Sequence, residues 1–119
     1  MAKNAVKRLD IIVPHEHVAD INDILHRHAV GGMSFYDVKG RGRAKNEPVA
    51  VGRGVMRYIP EFGHRTKVEV LVSDSTARAI IDDVLKTLGN GKSAIGKIFV
   101  YDVSEAYDIG TREKGETAL

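Results

Sequence analysis

Thr66-Lys67-Val68-Glu69-Val70-Leu71-Val72, followed directly by Ser73-Asp74-Ser75, decides the fold class. Val68, Val70 and Val72 fall on one side of an extended chain and Lys67, Glu69 and Leu71 on the other, the period-two pattern of a strand with one buried face. The serine and aspartate oxygens then supply an N-cap, and Ala77, Ile80, Ile81, Val84, Leu85 and Leu88 recur at helical spacing up to Gly89. A glycine-bearing turn over residues 90–96 leads into Lys97-Ile98-Phe99-Val100-Tyr101, a further strand. This half reads strand, helix, strand.

The upstream half repeats that order. Residues 6–13 carry Leu9, Ile11, Ile12 and Val13 before Pro14 and predict a strand. From His15 to about Ala29, the spacing of Val18, Ile21, Ile24 and Leu25 predicts a helix ended by Gly31-Gly32. Met33 to about Gly40 predicts the second strand. Residues 41–65 show no sustained periodicity, only scattered glycine, proline and charge, and are expected to form a long loop between strands 2 and 3. Residues 1–119 are thus expected to form a single α+β domain, ferredoxin-like βαβ-βαβ, with one antiparallel sheet backed by two helices. The uncovered sheet face is expected to be apolar and to be buried by self-association in a closed ring.

At 119 residues the chain suffices for one core. Its lack of cysteine excludes disulfides, thiolate metal sites and cysteine nucleophiles, which makes the cytosol the expected compartment. The charge-interrupted apolar stretch at the N-terminus is expected to be neither a signal peptide nor a membrane span. With 18 basic and 16 acidic residues the overall charge argues against a general nucleic-acid binder. The basic character concentrates at residues 41–65, where Arg41, Arg43, Lys45, Arg53, Arg57 and Arg65 face only Glu47 and Glu61.

Five segments, in order, are similar to PII nitrogen-regulatory signal-transduction proteins: Gly32-Met33-Ser34, Val38-Lys39-Gly40-Arg41-Gly42-Arg43, Lys67-Val68-Glu69-Val70, Gly96-Lys97-Ile98-Phe99-Val100, and the tail from Thr111 to Leu119. The resemblance covers nearly the whole chain. It implies a homotrimer with adenine-nucleotide sites for ATP or ADP between subunits, 2-oxoglutarate held through magnesium, and a T-loop at about 41–65. That loop would dock on an ammonium transporter or a metabolic enzyme, so a membrane would be met only through a partner. It further implies nucleotide contacts from Ser34, Gly40, Arg41, Gly42, Arg43, Leu71, Gly96, Lys97 and Arg112, with Glu69 beside them. The residue chemistry agrees in part. Gly40 and Gly42 allow close backbone approach, Arg43 can pair with phosphate, and Gly96-Lys97 adds a second approach and a point charge.

Several positions depart from the family pattern. Ala44 stands where the family usually has a glutamine that helps hold magnesium, and a methyl group cannot coordinate a hard cation. Magnesium-dependent 2-oxoglutarate binding is therefore not expected. Ala94-Ile95 replaces a glycine-aspartate pair, and Asp108 and Gly110 stand where the family places two phosphate-binding arginines. Arg112 lies two residues further on, displaced by roughly 6.6 Å in an extended chain. Fewer cations favour ADP, AMP or another adenine-containing ligand such as a cyclic dinucleotide over ATP alone. Tyr58 falls near the position of a uridylylated tyrosine in some relatives, although Arg57 precedes it.

The remaining constellations carry less. In His15-Glu16-His17 and His26-Arg27-His28 the two histidines point about 200° apart on a helix, so no metal site is expected, and these histidines together with Asp82-Asp83 read as solvated surface. No nucleophile with its base and no P-loop is present, so no enzyme is expected. An RNA-binding ferredoxin-like module is the alternative of another class, but strand 3 lacks the base-stacking aromatics it needs. No nucleic-acid partner is expected.

Overall fold

The computed structural model describes residues 5–41, 49–51, 56–58, 63–91 and 95–119, the two short stretches by their backbone alone. Four strands form the main sheet: β1 (Val6–Val13), β2 (Ser34–Gly40), β5 (Gly63–Ser73) and β6 (Lys97–Val103). Their order is β2-β5-β1-β6, antiparallel throughout. Helices α1 (Val18–Arg27) and α2 (Asp74–Leu88) cover one face. This is the expected α+β, ferredoxin-like arrangement.

Alternation fixes which face is buried. Leu9, Ile11 and Val13 on β1 stand beside Val70, Val68 and Thr66 on β5 in the antiparallel register, and the valines and isoleucines pack under Ile21, Ile24 and Leu25 of α1 and Ala77, Ile80 and Val84 of α2. Each such fully buried aliphatic side chain contributes about 1.5–3 kcal/mol. Thr66, fully buried, meets His15 Nδ1 at 3.1 Å and donates to Asp37 at 3.4 Å, so its hydroxyl is satisfied.

Three local expectations need correction. The first helix opens as a 3₁₀ turn over His15–His17 and closes before Gly31-Gly32. The left-handed residue that closes it is Ala29, at φ 57°, with Ala29 N–H bonded to His26 O and Val30 N–H to Leu25 O. That is the Schellman pattern, with alanine in the place glycine usually takes. The described residues of the expected loop include extended segments. Residues 63–65 extend β5 and pair with the end of β2, while β3 (Val49–Val51) pairs with β4 (Met56–Tyr58). Three-residue strands are too short for periodicity to reveal.

Asp83 and His28 are not solvated bystanders. Asp83 accepts hydrogen bonds from Arg27 (3.0 and 3.4 Å), His28 (2.9 Å) and Thr87 (3.1 Å), tying the end of α1 to α2. Helical spacing within α2 alone could not reveal this cross-helix contact. His15 is engaged with Thr66 as above, and His17 lies 3.4 Å from Asp20.

Foremost through the Arg27 hydrogen bond, Asp83 is held at about 2, below its ordinary 3.8. A depressed carboxylate stabilises the fold above its unfolded value, and that contribution is lost as pH falls through the folded one. Asp83→Asn should therefore be less stable than the parent chain at neutral pH in urea melts followed by circular dichroism. The gap should hold above pH 3.8 and close toward pH 2. A gap independent of pH would remove the charge from the explanation.

Candidate functional site

A groove of about 480 Å³ opens on the helix side of the sheet, between α2 and β6. Its floor is apolar, with Val84, Leu85 and Leu88 of α2 facing Ile98 and Val100 of β6, and Gly96 and Lys97 stand at its rim. Leu85, which the helical spacing placed in the core stripe, is half exposed here. It lies on the side of α2 turned toward the sheet edge, beyond the reach of α1.

Gly96 is required where it stands. Its φ is +152°, and a Cβ there would lie 2.1 Å from Ile12 O and 3.0 Å from a Val13 methyl. The backbone at the start of β6 is thereby pressed against β1, and Ile95 precedes it on the groove wall. Ala94 lies outside the described residues.

Ser34 and Leu71 occupy the other face. Ser34 is directly opposite Glu69 across β2 and β5, and Leu71 follows two residues along the same face, half exposed. Gly40 ends β2 opposite Gly63, and Arg41 follows it, exposed. Gly42, Arg43 and Ala44 lie outside the described residues. Tyr58 pairs through its backbone with Val49, and its side chain is likewise outside them. Among the described residues that the resemblance implies, Gly96 and Lys97 line the groove, although the alternation of β6 puts the Lys97 side chain on the face of Phe99 and Tyr101. The sheet separates Gly96 and the groove floor from Ser34, Glu69 and Leu71.

The extended tail assumed for Arg112 is not what forms. Asp108 accepts the Thr111 N–H through its carboxylate at 2.9 Å and the Arg112 N–H through its carbonyl at 2.9 Å, and Tyr107 bridges Lys114. The chain therefore turns back at residues 108–113, with Arg112 in the left-handed region at φ 66°. The Thr111 amide also holds the Asp108 carboxyl below its usual range. Aspartate at this point thus organises a turn, the local role that short carboxylates commonly take.

The uncovered face is less apolar than expected. Arg8, Asp10, Lys67 and Glu69 occupy its centre, with Arg8 stacked 4.1 Å over the Tyr101 ring and Lys67 5.6 Å from that of Tyr36. The Lys67 ammonium is held above its ordinary value first by Tyr36 and then by Asp10. Alternation over residues 66–72 placed Lys67 and Glu69 on one face of their strand. It did not show that they would converge.

Because no Cβ fits between Gly96 and Ile12 O, Gly96→Ala must shift the start of β6 away from β1. A cost on the order of 1–3 kcal/mol is expected in denaturant melts, the scale of a strained backbone position. An unchanged midpoint would show that the approach is not obligatory.

Comparison with known proteins agrees with this architecture. The family model described as nitrogen regulatory protein P-II matches residues 6–113. Nitrogen regulatory protein P-II of Klebsiella oxytoca and P-II 1 of Escherichia coli strain K12 are each 32% identical over 114 residues, covering 96% of this chain and 100% of theirs. The GlnK–ATP complex of B. subtilis aligns with a TM-score of 0.74 at 24% identity, over 98% of this chain and 100% of that one. Arabidopsis thaliana PII bound to citrate aligns with a TM-score of 0.73 at 23% identity, over 97% and 92%. Those two structures establish a shared fold. Together with a family match running from the first residue of β1 into the C-terminal turn, the full-length relatives show that this chain belongs to the nitrogen regulatory protein P-II family.

Proposed function

We propose that this chain is a regulatory protein, not an enzyme, that binds an adenine nucleotide in clefts between the copies of a homotrimer. It would act in the cytosol on a transporter or metabolic enzyme through residues 41–65. One observation carries the reading: the apolar groove with Gly96 at its rim lies on one side of the sheet, and Ser34, Glu69 and Leu71 lie on the other. A single chain cannot gather them around one ligand, whereas the groove of one copy set against the open-face edge of the next can. A heterologous contact of that kind closes into a ring.

The chemistry of each half suits a nucleotide. The apolar groove floor accepts a base, and Gly96, Lys97 and the glycine-arginine segment from Gly40 to Arg43 offer backbone amides and cations to phosphates. GlnK of B. subtilis, of the same fold, has been solved with ATP. Here Asp108, Gly110 and the turned Arg112 reduce the cationic supply, so ADP, AMP and cyclic dinucleotides compete with ATP for the assignment. The RNA-binding alternative lacks its main requirement, since the central strands β1 and β5 carry no Phe, Tyr or Trp. No helix among the described residues is long and apolar enough to cross a membrane.

Calorimetric titration with ATP, ADP, AMP and a cyclic dinucleotide tests the proposal, and binding of none of them would overturn it. Arg43→Ala should weaken the best ligand by about 1.5–3 kcal/mol, the worth of a hydrogen bond to a charged group. Unchanged affinity would remove Arg43 from the site.

Ala44 offers no oxygen to a magnesium ion, and the weakened phosphate grip withdraws support from the ligand's side as well. The loop would then be switched by the nucleotide alone, through different contacts in its two states. Titrating 2-oxoglutarate with ATP and magnesium should give no binding to the parent chain and detectable binding to Ala44→Gln. Tight binding to the parent would refute this.

A further inference from the structure

A single row of side chains crosses the open face of all four strands. Tyr101 on β6 lies under Arg8 of β1, Arg8 reaches Asp10 and Glu69, Lys67 of β5 reaches Asp10 from the far side, and Tyr36 on β2 lies next to Lys67. Two cations and two anions leave the row neutral, with an aromatic ring at either end. Asp10 is 1% exposed, and its Oδ1 lies 3.3 Å from Arg8 Nε, an ion pair whose atoms are not aligned as a hydrogen bond. Around the row Tyr36, Leu71, Phe99 and Tyr101 remain 42–46% exposed, and no helix among the described residues covers this side.

We infer that a second copy of this chain covers the row, and that the row admits identical copies while rejecting related chains with aliphatic residues in the places of Arg8 and Asp10. This rests on the homotrimer reading and adds its selectivity. A neutral row of cation, paired anions and cation can meet another such row with opposite charges in contact. An aliphatic surface brought against it removes water from the ion pairs and supplies no donor or acceptor in return. Removing water from ion pairs with nothing supplied in return is unfavourable, whereas two aliphatic surfaces facing one another are not penalised in this way. Selectivity therefore comes from what a mismatched pair leaves unsatisfied. The exposed aromatic rim contributes contact area to any partner; the row decides which partner is accepted.

The test mixes the parent chain with a mass-tagged Arg8→Val/Asp10→Val chain, unfolds and refolds them together, and counts species by native mass spectrometry. Each chain should form its own particle of about 39 kDa, three times the 13.0 kDa chain. Mixed particles should be at least about tenfold below the roughly three-quarters share that random assembly gives. Random mixing would overturn the selectivity and leave the homotrimer standing. A parent chain that is not a trimer would overturn the reading beneath both. If the aliphatic chain does not fold, the charge-exchanged Arg8→Asp/Asp10→Arg chain takes its place, with the same two outcomes. A last arm leaves the row intact: Phe99→Cys, in a chain otherwise free of cysteine, should resist thiol reagents in the assembled parent, and labelling as fast as in urea would overturn coverage of this face.

Discussion

β1 is held on both sides, by β5 over all eight of its residues and by β6 over seven, and every other feature of the molecule depends on the register of that pairing. A slip of one residue would carry Leu9, Ile11 and Val13 to the open face and bring Arg8 and Asp10 under the helices. Such an exchange would cost both the aliphatic core and the solvation of two charges. The register is thus enforced from both faces, and the crowding of Gly96 against Ile12 O sets where β6 must begin.

With β1 central, the molecule has two unlike sides. The helix side presents a groove because α2 ends beside β6 and leaves Leu85 exposed, while α1 and α2 are fastened to each other through Asp83. On the opposite side, the same strands offer Ser34, Glu69 and Leu71 near one edge and the ionic row across the middle. The proposed cleft between copies would draw one contribution from each of these surfaces.

Asp108 builds a turn in the C-terminal segment, while charge gathers on the inner strands and in the basic residues of 41–65. The polar groups of the open face lie where interfaces usually put aromatic and arginine side chains, and here the two kinds occur together, with Arg8 stacked on Tyr101.

The strands and helices were legible because period-two and helical spacing are local properties of a chain. Val68, Val70 and Val72 or Ile80 and Val84 declare their face without reference to anything distant. A close backbone approach at Gly96 was legible as a residue type, although what it approaches is Ile12 O of β1. Short strands in the expected loop, the turn at Asp108 and the partners of Asp83 were not legible, because a three-residue strand carries no period and a hydrogen bond between helices has no local signature. The convergence of Arg8, Asp10, Lys67 and Glu69 was hidden for the same reason. By itself the sequence determined which residues share a face; only the tertiary structure decided which faces meet, because the order β2-β5-β1-β6 brings together side chains nearly sixty residues apart.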